Sequence, residues 1–330
     1  MKAFIYEKYG PPSNLRLSEV EKPEPKEGEV LIKVHATALS VPDWRLMRGT
    51  PFMTRLMAGL MKPKYKILGT DVSGIIDALG KNVTGFKVGD AVYGDLSGSG
   101  FGAFAEYVCT KEDVVAHKPS NLSFEEAASM PLASVTALQA IRDKGQVREG
   151  HKVLIIGASG GVGSFAIQIA KSFRAEVTAV CSTRSKEQAL EFGADHVIDY
   201  TQEELSHSEE RYDVIVAVNG YYQISTYRKL LNPKGRFVMV GGLSIAQVIG
   251  VMAFGPLMSM IGDKKFAGLM AMPSQRDLAY MAKLAEEGKT KSIVEKQIGF
   301  SEIPEGLGYL EKGHAKGKVV VKMDCHDQDI

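Results

Sequence analysis

The sequence predicts an α/β protein, in which a doubly wound parallel sheet is joined to a second, irregular β domain. Three observations carry that prediction. Strand-like and helix-like segments alternate from Lys152 onward, a glycine-rich turn separates the first of those strands from its helix, and the first hundred or so residues hold short apolar runs broken by turn signals.

In the N-terminal part, Val30 to Ala36 is β-branched and apolar, and Ile67 to Leu79 is strand-rich and punctuated by glycine. Lys87 to Tyr93 reads as a turn entering a strand, so this region is expected to be antiparallel β rather than helical. Ser123 and Glu126 have the spacing of a capping box that opens a helix over Phe124 to Ser129, and Ser134 to Asp143 reads as a further helix. The alternation then runs through strands at Lys152 to Ile156, Glu176 to Cys181, His196 to Asp199, Tyr212 to Val218 and Arg236 to Val240. Helices fall at Gly160 to Phe173, Lys186 to Phe192 and Gln223 to Leu230. Such spacing implies right-handed βαβ crossovers. A helix at Asp277 to Glu287, the segment Glu295 to Phe300 and a strand at Lys318 to Lys322 follow, and the last returns to the N-terminal β region. The expected domains are therefore 1–122 with 290–330, and 123–289 inserted between them.

With 330 residues the chain can bury two cores. A formal net charge of +1 supplies no global field for nucleic acid or an anionic surface. Three separated cysteines, Cys109, Cys181 and Cys325, form neither a disulfide framework nor a metal signature, which points to a reducing compartment, the cytoplasm. No secretory signal is read at Met1 to Tyr6. Leu243 to Gly262 carries no charge and approaches the length of a membrane span, but Gln247, Pro256 and several glycines interrupt it. A buried, pocket-lining or subunit-contact segment is expected there instead of a span.

The strongest chemical signal is the run from Val153 to Gly163, an apolar strand, a glycine-rich turn and a helix. Gly157 suits a tight turn, Gly160 and Gly161 lack the Cβ atoms that would block a pyrophosphate, and Gly163 allows close helix packing. The helix start offers free N–H groups and a positive dipole end, so Ser159, Gly160, Gly161 and Val162 are expected to hold a dinucleotide. At the end of the next strand, Ser182, Arg184 and Lys186 stand where an acid would bind the ribose hydroxyls of NAD. Hydroxyl donors and cations suit a 2′-phosphate, so NADPH is the expected cofactor.

These motifs resemble the quinone oxidoreductase branch of the medium-chain dehydrogenase/reductases over essentially the full length. The matching stretches are Gly69 to Gly74, Lys87 to Gly94, Gly102 to Tyr107, Gly157 to Gly163, Gly193 to Tyr200 and Gly317 to Val320. The resemblance implies a GroES-like β domain beside the Rossmann domain. It also implies that Thr136 lies near the nicotinamide riboside, Tyr200 near the adenosine phosphate, and Asn219, Gly241, Gly242, Leu243 and Lys318 along the cofactor. Each has a structural alternative, such as a helix-capping Thr136 or an ordinary turn at Gly241 and Gly242.

The resemblance also implies that zinc is absent. Zinc-dependent relatives carry a cysteine where this chain has Ser40 and a histidine where it has Thr70, and no cysteine lies near Pro131 to Thr136. Hydride transfer without a Lewis acid suits acceptors already polarised, such as quinones or alkenes conjugated to a carbonyl. The expected pocket residues are Val41, Trp44, Phe52, Phe101 and Phe104. Asp43 is the candidate polar group for catalysis, with a turn aspartate bonding backbone N–H groups as the structural alternative, and Met53 to Met61 reads as a flap or as amphipathic packing. The chain departs from its relatives at Ser40, where they carry asparagine, and at Gly49 to Phe52, where they carry a tyrosine. Since enoyl-thioester reductases use that tyrosine as proton donor, this alternative is disfavoured. A non-enzymatic NADPH-binding sensor or partner-binding protein is the third reading. A homodimer is expected by analogy, through edge strands near Arg236 to Gly241.

Overall fold

The computed structural model describes residues 1–323 apart from 243, 244, 261 and 314, with the side chains of Met57, Ile245 and Ala246 also left undescribed. Residues 1–135, 272–288 and 292–330 form one compact unit, and 136–271 with 289–291 form the other.

In the first unit the chain runs through β1 (Lys2–Ile5), β2 (Arg16–Glu19), β3 (Glu29–Leu39), α1 (Val41–Arg48), α2 (Phe52–Ala58), β4 (Asp71–Leu79), β5 (Ala91–Asp95), β6 (Tyr107–Lys111), β7 (Val115–His117) and α3 (Phe124–Ala128), and the division between the units falls within α4 (Pro131–Leu138). In the second unit come β8 (Lys152–Ile156), α5 (Gly161–Ser172), β9 (Glu176–Cys181), α6 (Lys186–Glu191), β10 (His196–Asp199), β11 (Tyr212–Ala217), α7 (Ile224–Leu230), β12 (Leu231–Met239), α8 (Ile245–Met260) and β13 (Lys265–Gly268). The first unit then resumes with α9 (Gln275–Glu286), β14 (Val294–Gly299), α10 (Ile303–Glu311) and β15 (Lys318–Lys322).

The β unit is a sheet in the order β14-β15-β3-β4-β5-β7, with β6 also paired to β3. Every pairing in it is antiparallel except β14 with β15. Its core gathers Phe4, Tyr6, Ile32, Met47, Leu68, Phe104 and Val319. The region expected to be β alone holds two helices. Ser40 and Asp43 close a capping box at the start of α1, Pro42 lies in its first turn, and Gly49 ends it at φ 61°. The capping box at Ser123 forms as expected, with Ser123 N–H on Glu126 Oε2 at 2.9 Å and Glu126 N–H on Ser123 Oγ at 3.1 Å.

The expected inserted domain is 123–289, but residues 123–135 and helix α9 group with the β unit. Tyr93 donates its hydroxyl to Leu278 O at 2.7 Å, Asn121 reaches Ala285 O at 3.0 Å, and the Ser120 hydroxyl donates to Glu286 Oε1 at 2.9 Å. Those ties hold the helix to strands and loops of the first unit.

The second unit carries a parallel sheet in the order β10-β9-β8-β11-β12-β13. Strand order reverses between β8 and β11, the position at which open α/β sheets leave a crevice for ligands beyond their carboxyl ends. Tyr227 stacks on Phe237 at 4.6 Å in the core on one face. The strand expected to form a subunit edge, Arg236 to Gly241, lies inside the sheet instead: β12 pairs with β11 on one side and with β13 on the other. The sheet ends at β10 on one side and at β13 on the other, and β13 is a short strand not expected from the sequence, whose Phe266 N–H is taken by the Ser259 hydroxyl of α8 at 2.8 Å. Helix α8 covers β13, and none of its described side chains carries a charge. Among the described residues no helix is long and apolar enough to cross a membrane.

Candidate cofactor site and a buried charge cluster

In the second unit the site is built at the carboxyl ends of the parallel strands. Gly157 directly follows β8; its φ of +79° favours glycine, and a Cβ there would stand 3.0 Å from Asn219 Cβ, two residues past the end of β11. Gly163 is fixed by contact: its Cβ would meet Gly157 O at 2.2 Å. Gly160 is different, since the nearest atom to its Cβ is 4.0 Å away. Protein packing therefore does not require glycine at 160, and the open space beside it suits a pyrophosphate. No side chain caps α5, so the N–H groups of its first turn face no capping oxygen. Ser159, Gly160, Gly161 and Val162 are all partly exposed on this turn.

At the end of β9, Ser182 precedes a short turn, with Arg184 and Lys186 exposed. The Ser185 hydroxyl on the same turn is buried and has no hydrogen-bond partner among the described residues. Asp199, at the end of β10, accepts the Thr183 hydroxyl at 2.5 Å and the Thr201 hydroxyl at 2.7 Å. These hydrogen bonds hold its carboxyl below the usual range. Tyr200 is exposed and stacks on Tyr221 with ring centroids 6.3 Å apart, and Asn219 Nδ2 donates to the Tyr221 hydroxyl at 2.7 Å. Tyr221 was missed from the sequence, although it follows Asn219 and Gly220 at a strand end. Gly241 approaches Val218 O so closely that a Cβ would stand 2.7 Å from it, and Gly242 bridges to Gly220. Leu243 lies outside the described residues. Thr136 is buried on α4, which passes into a π-helical turn over Gln139–Lys144.

In the β unit the expected catalytic and pocket residues separate. Asp43 is fully buried: Oδ2 accepts the Ser40 N–H at 2.8 Å, and Oδ1 accepts the Thr70 hydroxyl at 2.7 Å and the Gly69 N–H at 3.3 Å. Burial is the main cause that pushes its pKa up to about 7. Phe104 has no exposed surface and belongs to the core, where its backbone carbonyl accepts the Phe4 N–H, so it lines no open slot. Trp44 and Phe101 pack against that core, whereas Val41 and Phe52 are exposed.

Lys318 stands beside Asp43 in the same unit, not on the glycine turn. Its ammonium donates to Asp71 Oδ2 at 2.7 Å and to Ser40 Oγ at 2.5 Å. Asp71 also accepts the Ser40 hydroxyl at 2.7 Å and, on Oδ1, the Leu132 N–H at 2.7 Å. Asp95 is nearby, likewise buried, and its pKa is pushed up to about 7 by burial and by the charge of Asp71. This cluster gathers Ser40, Thr70 and the start of α4, the places at which zinc-dependent relatives carry ligands. It supplies two hydroxyls, carboxylates already hydrogen-bonded, and an ammonium, with neither sulfur nor imidazole. These residues do not suit zinc, and the buried cation beside the carboxylates is Lys318.

A β unit followed by a glycine-turn nucleotide fold defines a two-domain dehydrogenase/reductase. Residues 26–120 match the model of the alcohol dehydrogenase GroES-like domain, and residues 192–321 match a zinc-binding dehydrogenase family. The chloroplast envelope quinone oxidoreductase homolog of Arabidopsis thaliana is 32% identical over 336 residues, covering 98% of each chain. The chloroplastic NADPH-dependent alkenal/one oxidoreductase of the same plant is 33% identical over 97% of this chain and 79% of its own. Among solved structures, the quinone oxidoreductase from Coxiella burnetii has a TM-score of 0.85 at 32% identity, covering 98% of this chain and 99% of its own. The chain belongs to the quinone oxidoreductase-like family of medium-chain dehydrogenase/reductases and is an oxidoreductase.

Proposed function

We propose that this protein catalyses NADPH-dependent, metal-free reduction of a quinone or of an alkene conjugated to a carbonyl. The observation that carries the reading is the turn at Gly157 to Gly163, where packing demands glycine at 163 but leaves the space beside Gly160 open. When bound, a dihydronicotinamide supplies hydride to an acceptor that conjugation has already polarised, and water can supply the proton. The names of the relatives, which include quinone and alkenal/one oxidoreductases, support this acceptor class.

The pyrophosphate is assigned to Ser159, Gly160, Gly161 and Val162, at the uncapped start of α5. Ser182, Arg184 and Lys186 are assigned to the 2′-phosphate, which is the reason for choosing NADPH over NADH, and Tyr200 to the adenosine phosphate. The unpartnered Ser185 hydroxyl supports a polar ligand at this turn. Asp199 does not oppose the choice, because both its oxygens already accept hydroxyls of the protein. Asn219, Gly241, Gly242 and Thr136 are assigned to the remainder of the cofactor.

Asp43 acts here as a positioning group for the turn at Ser40 and Gly69, and Lys318 as the fixed countercharge of Asp71. The cytoplasm is the proposed compartment, in keeping with the cysteine usage. A homodimer is the proposed assembly.

The test is NADPH oxidation followed at 340 nm with 1,4-naphthoquinone, a short enone and crotonyl-CoA, each repeated with NADH. Faster turnover of quinone or enone with NADPH supports the reading. Preference for crotonyl-CoA would make the protein an enoyl-thioester reductase. Tight NADPH binding without any turnover would make it a sensor.

A further inference from the structure

The segment from Trp44 to Thr70 contains six basic residues (Arg45, Arg48, Arg55, Lys62, Lys64 and Lys66) and no acid, in a chain whose net charge is only +1. Arg45 and Lys64 lie over the Trp44 and Tyr65 rings at 5.5 and 5.2 Å, and two others form hydrogen bonds or ion pairs. Arg48 forms a two-point ion pair with Glu311, at 2.8 and 2.7 Å, and Arg55 donates to Gly49 O at 3.1 Å while its guanidinium lies over the Tyr9 ring at 4.8 Å. Lys62, Lys64 and Lys66 are exposed and form no ion pair with any carboxylate among the described residues.

Beside these lysines, α2 and the turn after it present Phe52, Met53, Leu56, Leu60 and Met61 to solvent, with exposures from 52% to 89%. Five large apolar side chains within ten positions gain nothing from the fold that displays them. The backbone beneath them is nevertheless held firmly. The Tyr9 hydroxyl donates to Gly59 O at 2.5 Å, Lys64 N–H reaches Ala58 O at 2.7 Å, and a Cβ on Gly59 would collide with Lys62 O at 2.1 Å. A fixed turn thus carries an apolar ridge edged by uncompensated ammonium groups.

We propose that the ridge from Phe52 to Met61, with Lys62, Lys64 and Lys66 along it, docks on the surface of an anionic lipid bilayer. The apolar side chains enter the boundary between headgroups and acyl chains while the lysines meet the lipid phosphates and carboxylates. The absence of any acid from Trp44 to Thr70 favours this occupant over a second copy of the same face, because two such faces would bring like charges together. The outer face of α8 is also apolar, but none of the helix's own described side chains carries a charge to say what covers it. The surface binding is independent of the acceptor that the enzyme reduces.

The experiment is co-sedimentation of the intact chain with vesicles of phosphatidylcholine alone, and with vesicles in which about a third of the lipid is phosphatidylserine, at low and high salt. Binding to the anionic vesicles alone, reversed by salt, is expected. Replacing all three lysines (Lys62→Gln, Lys64→Gln, Lys66→Gln) should weaken it on the order of a hundredfold, at about fivefold per lysine, while the thermal midpoint stays in place. Leu60→Ser with Met61→Ser should weaken it at low salt, where the lysines are intact. Indifference of the folded protein to anionic vesicles overturns the proposal, as does equal binding by the triple variant. Sedimentation-velocity evidence that the Leu60/Met61 variant dissociates a dimer, or capture by polyglutamate without capture by vesicles, overturns it in favour of a protein partner.

Discussion

Lys318 and Asp71 lie 247 positions apart and meet in the buried β unit with Nζ 2.7 Å from Oδ2. Ser40 bridges them, accepting from the ammonium and donating to the carboxylate. The pair ties the starts of β4 and β15 to the N-cap of α1. Removing one partner leaves a charge buried without compensation, so Lys318→Met should cost about 3–5 kcal/mol by urea unfolding. Adding Asp71→Asn should recover a large part of that loss. A double-variant loss equal to the sum of the two single-variant losses would show that the two residues are not coupled.

The two glycines of the turn should respond differently. Gly163→Ala brings a Cβ within 2.2 Å of Gly157 O, so both the thermal midpoint and nucleotide affinity should fall. Gly160→Ala meets no protein atom closer than 4.0 Å and should unfold normally while binding NADPH more weakly. Fluorescence titration alongside thermal unfolding separates the two effects, and unchanged NADPH affinity in Gly160→Ala would remove the pyrophosphate from that position.

Cofactor preference should depend on the turn after β9. Charge-assisted hydrogen bonds contribute about 1.5–3 kcal/mol, so Arg184→Ser should weaken NADPH binding about ten- to a hundredfold and leave NADH affinity nearly unchanged. Equal losses for both cofactors would show that Arg184 does not read the 2′-phosphate.

Asp95 makes stability depend on pH. Its pKa in the fold is about 7, above the ordinary carboxyl value of 3.8, so the folded chain holds a proton that the unfolded chain releases. Its contribution is therefore most favourable at acid pH and declines as pH rises from about 4 to about 7. Asp95→Asn removes this titration. Relative to the parent protein, the variant should gain about 2 kcal/mol between pH 5 and pH 8 in urea unfolding. Parallel stability curves for the two proteins would contradict it.

The alternating half of the molecule was legible because each parallel strand is a compact apolar run and each helix has its own period. The capping box at Ser123 was equally clear. At Ser40 and Asp43 the same capping pattern was present, with Pro42 in the first turn, but Ser40 was weighed as a zinc-ligand position and Asp43 as a catalytic group or a turn aspartate, and α1 was missed. Helix α8 escaped because it has no polar face to produce a helical period. The meeting of Lys318 with Asp71 was beyond sequence reasoning, since it depends on β15, β3 and β4 lying side by side. Phe104 was placed in the pocket because its aromatic character alone does not distinguish a core residue from a substrate wall.

The most direct test of metal-free hydride transfer uses NADPH carrying deuterium at C4 of the nicotinamide, on the transferred face, with a short enone as acceptor. Mass spectrometry should find the label on the carbon β to the carbonyl of the saturated product, in equal yield with and without a strong chelator. A product without deuterium, or activity that the chelator abolishes and zinc restores, would contradict the account.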